Sequence, residues 1–378
     1  MRSHLPTCLL LALLFTLPGC SNDADNTMLP ADPDDRGTAV GANHVFAANG
    51  GLAWSGVTGE AIGKSSSTPA AGTGLIAMHV PDGATRVLDP TPPVLITLSH
   101  DGSRVYYVAD LPPADGDSVT LRRITLSGGG APEQVVPAGP EGSLMSYAVS
   151  ADQNWVAWSV SGSDPFDPPT LRLRQLSTGA ITDVGLGSPV VLSPGGDFLI
   201  FQPNPGSLAL KLWVRANGNV SDYGPVTPIG AGPAAWSWDG PNPQDQKVAY
   251  IVPPRDLFVA RPQVGGIPQL IDRAPDSLDV APPVWSLDGQ RIAVFGSRPA
   301  ANGNYINHPL FVADLGVVHG TQVATGTTAP GGVAISASGL QVVELYGEQL
   351  YVADVHGLAP VVGAAAPARA GPARRSSR

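Results

Sequence analysis

Cysteine is close to absent from this chain: 378 residues contain two, Cys8 and Cys20. Lysine is scarce as well, with only Lys64, Lys211 and Lys247, and charged residues make up 14% of the whole. The 21 basic residues against 31 acidic ones leave a net charge of −10. A chain of that sign repels phosphate backbones, so no nucleic-acid partner is expected. The apolar run Cys8 to Leu17 is about half the roughly 20 residues that a membrane-spanning helix needs. What the sequence does have is 45 glycines and 39 prolines within a 43% hydrophobic composition. That is too apolar for a disordered chain, and the heavy Gly/Pro punctuation favours many short elements joined by tight turns over long helices.

Residues 1–19 read as an address. Arg2 precedes the apolar stretch from Leu5 to Leu17, and Leu17-Pro18-Gly19-Cys20 follows. A basic start, a short apolar core and small residues before a cleavage point describe a secretory signal. LPGC ending at Cys20 resembles the bacterial lipobox, which implies acylation of the Cys20 thiol as the first residue of the mature chain. The plainer alternative is an ordinary secretory signal with an incidental cysteine. Loss of Cys8 with the signal leaves one thiol and excludes an internal disulfide, and acylation would consume that thiol. Each buried methylene of an acyl chain contributes about 0.8 kcal/mol, so multiple acylation anchors stably. Ser21 after the cysteine, by the same resemblance, implies release to the outer membrane. The expected location is the cell envelope, on the periplasmic or the surface side.

Residues 20–43 carry Asp23, Asp25, Asp32, Asp34 and Asp35 against a single Arg36, with no apolar period. They are expected to form a flexible tether of about 25 Å reach. Residues 364–378 carry four arginines and are expected to be a disordered basic tail, either solvated or touching an anionic surface.

Residues 44–363 repeat. A short apolar stretch followed by Ser-x-Asp/Gly-Gly, or a near variant, recurs with serines at 99, 150, 193, 237, 286 and 336. The fullest copies are Ser99-His100-Asp101-Gly102, Ser237-Trp238-Asp239-Gly240 and Ser286-Leu287-Asp288-Gly289. A degenerate seventh copy is read at Val45–Gly51, with LAWS from Leu52 as its second apolar run. After each turn come runs such as VYYV from Val105 and WVAW from Trp155, and then a third run such as LFVAD before Gly316. These runs are short, rich in Val, Ile, Tyr and Trp, and bounded by Gly, Pro and Asp, which is the signature of strands. Four antiparallel strands per roughly 47-residue unit is the arithmetic of a propeller blade. The expectation is an all-β, single β-propeller of seven four-stranded blades, or six if the degenerate copy only completes another blade. Trp236 and Trp285 are expected to pack between blades.

Trp285-Ser286-Leu287-Asp288-Gly289, then RIAVF, then LFVAD, resembles the repeat of TolB-like (WD40-like) propellers. The resemblance spans about residues 44–363 and implies the fold with little about activity, because such propellers serve as scaffolds and as parts of peptidases. TolB proper adds an α/β domain, for which Ser21–Asn43 leaves no room. The peptidases add a hydrolase domain, and no Gly-x-Ser-x-Gly nucleophile elbow occurs here.

Little else carries chemistry. The histidines show no metal-ligand spacing, Gly128–Gly130 lacks the Lys-Ser/Thr of a phosphate loop, and the blade turns lack the Thr-Trp of a sialidase box. His100, at the variable turn position, is expected to be exposed. The loops between second and third strands stand out by length: Asp110–Val119, Ser161–Thr170 and Gly296–Pro309, with a Ser/Gly-rich excursion at Gly56–Gly74. They place Asp110, Asp115, Asp117, Asp164, Phe166, Asp167, Tyr305 and His308 on one face, where oxygen ligands could gather a divalent cation such as calcium. Acids beside Pro and Gly are equally the material of ordinary turns. The leading expectation is a monomeric, lipid-anchored, non-enzymatic protein-binding or scaffold module with an envelope or periplasmic protein as partner, membrane contact through the N-terminal lipid, and no catalytic residues or cofactor. The alternative is a propeller enzyme, a hydrolase or lyase, with a metal-assisted site at the loop face.

Overall fold

The computed structural model describes residues 38–40, 46–47, 52–55, 58–65, 74–109, 120–136, 144–161, 167–204, 210–223, 234–236, 247–252, 256–260, 269–273, 277–278, 283–286, 288–299, 306–315, 321–326, 332–336, 339–346 and 349–355. All belong to the compact unit Pro33–Arg378. Among them there is no helix and there are 29 strands. β1 is Thr38–Val40. The first blade contains β2 (Leu52–Ser55), β3 (Glu60–Lys64), β4 (Leu75–His79) and β5 (Thr85–Asp89). The second contains β6 (Pro93–Leu98), β7 (Arg104–Ala109), β8 (Thr120–Thr125) and β9 (Glu133–Gln134). The third contains β10 (Leu144–Val149), β11 (Trp155–Val160), β12 (Thr170–Gln175) and β13 (Ile181–Leu186). The fourth contains β14 (Ser188–Leu192), β15 (Phe198–Gln202), β16 (Leu210–Val214) and β17 (Asn219–Tyr223). The fifth contains β18 (Ala234–Trp236), β19 (Val248–Val252), β20 (Asp256–Ala260) and β21 (Gln269–Arg273). Then come β22 (Ser277–Leu278), β23 (Val284–Trp285), β24 (Arg291–Pro299), β25 (Ile306–Asp314) and β26 (Thr321–Gly326), and finally β27 (Gly332–Ile335), β28 (Gln341–Tyr346) and β29 (Gln349–Asp354).

The described strands form seven antiparallel sheets; five are four-stranded meanders in chain order, the sixth runs β22-β24-β25-β26 with β23 also paired to β24, and the last runs β1-β29-β28-β27. Strands with apolar residues on both faces make this possible. In β7, Val105, Tyr107 and Ala109 enter a cluster with Ile62, Leu75 and Ala77 of the first blade, while Tyr106 and Val108 join Val156 and Trp158 of the third. A period of two therefore buries both faces of a sheet only when it has a neighbour on each side. Seven such clusters link successive sheets, and the one joining Val343, Leu345 and Leu350 to Ile76 and Met78 closes the ring. The sheets thus form a β-propeller of four-stranded blades. Trp285 packs on the cluster between β19/β20 and β24/β25, as a blade-to-blade tryptophan should.

β1 lies inside the stretch expected to be tether. Thr38, Ala39 and Val40 pair with Val352, Tyr351 and Leu350, and Gln349 Nε2 donates to the Val40 carbonyl at 2.9 Å. β29 would otherwise leave its ladder open at the outer edge, so the ordered body starts before residue 44.

The turn logic holds, with one correction of register. Gly102, Gly196, Gly289 and Gly339 have φ of 68°, 73°, 65° and 68°, and the N–H of each donates to its turn serine carbonyl at 2.9–3.0 Å. The serine hydroxyl oxygens of Ser99, Ser150, Ser193, Ser286 and Ser336 accept the N–H five residues on, at 2.9–3.0 Å. Asp101, Asp152 and Asp288 each accept the N–H two residues on. Ser237, Asp239 and Gly240 lie outside the described residues. In the first blade the turn is not at Val45–Gly51. LAWS is the innermost strand β2, and the turn runs Ser55 to Gly59, with Gly59 at φ 68° donating to Ser55 O at 2.8 Å. Thr58 N reaches Ser55 Oγ at 3.2 Å. The excursion at Gly56–Gly74 accordingly contains strand β3. Without the Ser-x-Asp-Gly lettering the turn's position was hidden, although its hydrogen bonding is conventional. The loop Gly296–Pro309 is likewise shorter than expected, because β24 and β25 continue through Arg298↔Asn307 and Pro299↔Ile306.

His100 is not exposed as expected but half-buried. Burial pushes its imidazole down to about 4, against a weaker upward pull from Asp101. Its unfolded value near 6.5 lies above that, so protonation favours the unfolded chain, and stability is lost as pH falls from about 6.5 towards 4. Between pH 7 and pH 5 the expected loss is about 2 kcal/mol. Urea unfolding at the two pH values should show that difference in the native chain, and His100→Asn should remove most of it.

Candidate functional site

In a meander the turns after the first and third strands share one face, and the connections after the second and fourth share the other. Of the residues expected on the latter face, Asp110, Asp115, Asp117, Asp164, Phe166 and Tyr305 lie outside the described residues, as does Cys20. Asp167 is exposed in a bend, and His308 sits in β25 opposite Gly326. Among the described residues no group of three or more His, Cys, Asp or Glu side chains is placed to hold a metal ion.

On that same face lies a polar seam between the first two blades. Asp89, at the end of β5, is buried. Its Oδ2 accepts from the Tyr107 hydroxyl and from Arg122 Nη1 at 3.3 Å, and its Oδ1 accepts from Thr91 N at 2.8 Å. Burial alone would raise this carboxyl, but the donors outweigh it and hold the group below the usual carboxylate range. Burial and the adjacent carboxylate push the Tyr107 phenol up. Both Asp89 oxygens are occupied, Oδ2 by donors of the next blade, so the seam is a clamp between blades.

The turn face carries an open cleft of about 410 Å³ between the second and third blades. Asp101, Ser103 and Arg104 enter from the second blade's first turn, and Arg123 from β8. Asp152, Gln153 and Asn154 enter from the third blade's first turn, with Leu176 and Ser177 after β12. The arginines, Gln153 and Asn154 are half-buried, while Asp101 and Asp152 are exposed.

Gln153 is the residue that sets this cleft apart. It occupies the position filled by glycine in the other Ser-anchored turns described, and it holds φ 58°, the single positive φ among described non-glycine residues. Left-handed backbone costs an L-residue about 1–2 kcal/mol. Its side chain accounts for its presence: Oε1 accepts from Arg104 Nη1 of the neighbouring blade at 3.1 Å. Partial desolvation of its carboxyl would raise Asp101, but hydrogen bonds from Ser99, Ser103 and the Gln153 amide hold it low. Gln153→Gly should therefore cost under about 1 kcal/mol, since backbone relief offsets the lost hydrogen bonds, whereas Gln153→Ala keeps the strain and should cost about 1–2 kcal/mol more than glycine. Chemical denaturation of the two variants gives that difference directly.

The remaining groups are positioned by neighbours too. Arg123 forks onto Glu133 through Nε and Nη2, both at 2.8 Å. Asn154 Oδ1 accepts from Ser177 N at 3.2 Å. The aspartates spend their Oδ1 atoms on their own turns: Asp101 on Ser99 and Ser103, Asp152 on Ser150 and Asn154. The sequence flagged Asp101 only as a turn former and missed Arg104, Arg123 and Asn154. The available signal was glutamine at a glycine position in VSADQ.

No protein-family model matches the chain, and no curated protein matches it. Solved structures do. Oligogalacturonate lyase from Vibrio parahaemolyticus aligns at TM-score 0.62 and 12% identity, over 84% of this chain and 90% of its own. An oligogalacturonate lyase in complex with manganese aligns at 0.59 and 15%, again over 84% and 90%. TolB from Acinetobacter baumannii aligns at 0.44 and 14%, over 81% of this chain and 63% of its own. At these identities the two lyases support one conclusion: the chain has the β-propeller fold.

Proposed function

We propose that this protein is a binding module of the cell envelope, acylated at Cys20, tethered to the outer membrane by its N-terminal segment, and offering its propeller to an envelope or periplasmic protein. The observation that carries the reading is the cleft between the second and third blades, where a strained glutamine orients an arginine across the seam. Strained backbone persists where the surroundings over-determine it, and such positions gather at binding sites. A photo-crosslinking residue at Ser177, on the cleft, should capture one specific envelope protein, and the same residue at Val220, on the outer strand β17, should not. Equal capture from both positions, or none from Ser177, would overturn the reading. Cys20→Ser should release the chain from the membrane fraction.

The alternative is a propeller enzyme holding a divalent cation on the opposite face, which draws on the manganese-bound lyase among the structural neighbours. Metal analysis separates the two: a stoichiometric divalent ion on the purified chain favours the enzyme.

A further inference from the structure

We infer that the cleft between the second and third blades recognises a carboxylate group, with Arg104 as its principal contact. This rests on the cleft being the binding site proposed above. Arg104 gives Nη1 to Gln153, and its Nε and Nη2 have no hydrogen-bond partner among the described residues. That leaves one edge of the guanidinium open, with two parallel N–H donors, which is the geometry a carboxylate accepts in bidentate fashion. Arg123 Nη1 lies outside the Glu133 fork, and Asn154 keeps its amide N–H₂ while its Oδ1 is held by Ser177 N.

The acceptor side is already used. Asp101 Oδ1 takes the Ser99 hydroxyl and Ser103 N–H, and Oδ2 takes the Ser103 hydroxyl at 2.8 Å. Asp152 retains only Oδ2, on an exposed residue where water serves it. The half-buried part of the cleft is therefore rich in donors, while the acceptor oxygens of the exposed part are mostly engaged in their own turns. A cation would find few free acceptor oxygens there, whereas a carboxylate meets donors already oriented by their neighbours. The fixed orientation of Arg104 matters as well: its glutamine partner holds the guanidinium before any ligand arrives, which lowers the ordering cost of binding. A carboxylate could come from an acidic peptide side chain or from a free organic acid.

Calorimetric titration of the full mature chain with a blocked tri-glutamate peptide, a blocked tri-glutamine peptide and succinate tests this. The tri-glutamate peptide should bind saturably although the protein itself carries −10, and the tri-glutamine peptide should not bind. Arg104→Gln should weaken the peptide at least about tenfold, as expected for loss of a charge-assisted fork. Arg104→Lys, which keeps the charge and the fold but loses the fork, should also weaken it. Tight succinate binding identifies a free acid as the source, and peptide binding without succinate binding identifies a protein. No saturable binding of either, or binding indifferent to both Arg104 variants, overturns the inference. Carboxylate binding with no crosslinked partner leaves this inference standing and removes the protein-partner reading, and crosslinking from Ser177 that neither carboxylate displaces does the reverse.

Discussion

Gly196→Ala is expected to destabilise the protein by about 2–5 kcal/mol, more than the same change at Gly218. Both glycines sit in left-handed turns, at φ 73° and 69°, so both variants incur the backbone cost of about 1–2 kcal/mol. The difference is space. A Cβ at Gly218 meets nothing within 4 Å, while one at Gly196 lands in the Trp155 side chain, 2.5 Å from Cδ1 and 2.9 Å from Cβ. Trp155 cannot easily yield. Its backbone is paired to Ser150 on one side and Gln175 on the other, and Arg215 stacks over its ring at 4.3 Å from the centroid. Arg215 is itself held by Asp197, which follows Gly196 in the same turn. Forcing a methyl into such a site adds a strain of about 1–3 kcal/mol. Equal losses in the two variants, measured by denaturant unfolding, would show that the Trp155 contact adds nothing.

The same seam explains why the turn motif repeats. The residue that opens the second strand of one blade reaches over the first turn of the next: Arg104 over Gln153, Trp155 over Gly196, and Arg291 over Gly339, where a Cβ would meet Arg291 Cγ at 3.2 Å. Glycine at the turn thus answers two demands, a positive φ and room for a neighbour's side chain. Where glutamine stands instead, the contact is a hydrogen bond rather than packing, and it lies in the cleft.

This also sets what the sequence could disclose. Blade boundaries were readable because strand, turn and glycine positions recur, and six of the seven second-strand runs fall where β7, β11, β15, β19, β24 and β28 lie. The first blade was misread by one strand because its turn, Ser55 to Gly59, keeps the hydrogen bonds but not the letters. β1 escaped notice for a different reason: a three-residue strand gains its stability from pairing with β29, some 310 residues away in the chain, and no local pattern reports such a partner. The cleft left only one local trace, the glutamine of VSADQ, since the pairing of Arg104 with Gln153 exists only when two blades are set side by side. Chemistry divided between repeats has no linear motif.

Asp89→Ala is expected to cost about 3–5 kcal/mol, because it strands the partners of a buried charge. Tyr107, fully buried, would keep a hydroxyl with no acceptor, Arg122 would lose its carboxylate, and Thr91 N–H its side-chain acceptor. Asp89→Asn keeps an oxygen for Tyr107 and should cost roughly half as much, with the remainder reflecting the unpaired guanidinium. Adding Tyr107→Phe to Asp89→Ala should recover part of the loss, with a coupling of about 1–3 kcal/mol in the double-mutant cycle, since the buried Tyr107 hydroxyl is then no longer stranded. The pH dependence has a definite sign. The folded carboxyl lies below its ordinary value, so Asp89 contributes stability above about pH 4 that disappears as pH falls through the folded value. In the Asp89→Asn variant that part of the acid sensitivity should vanish, while the loss between pH 7 and pH 5 caused by His100 should remain. If Asp89→Asn instead flattens the curve near pH 6 and leaves the acid limb untouched, the carboxylate is not the group that the clamp depends on.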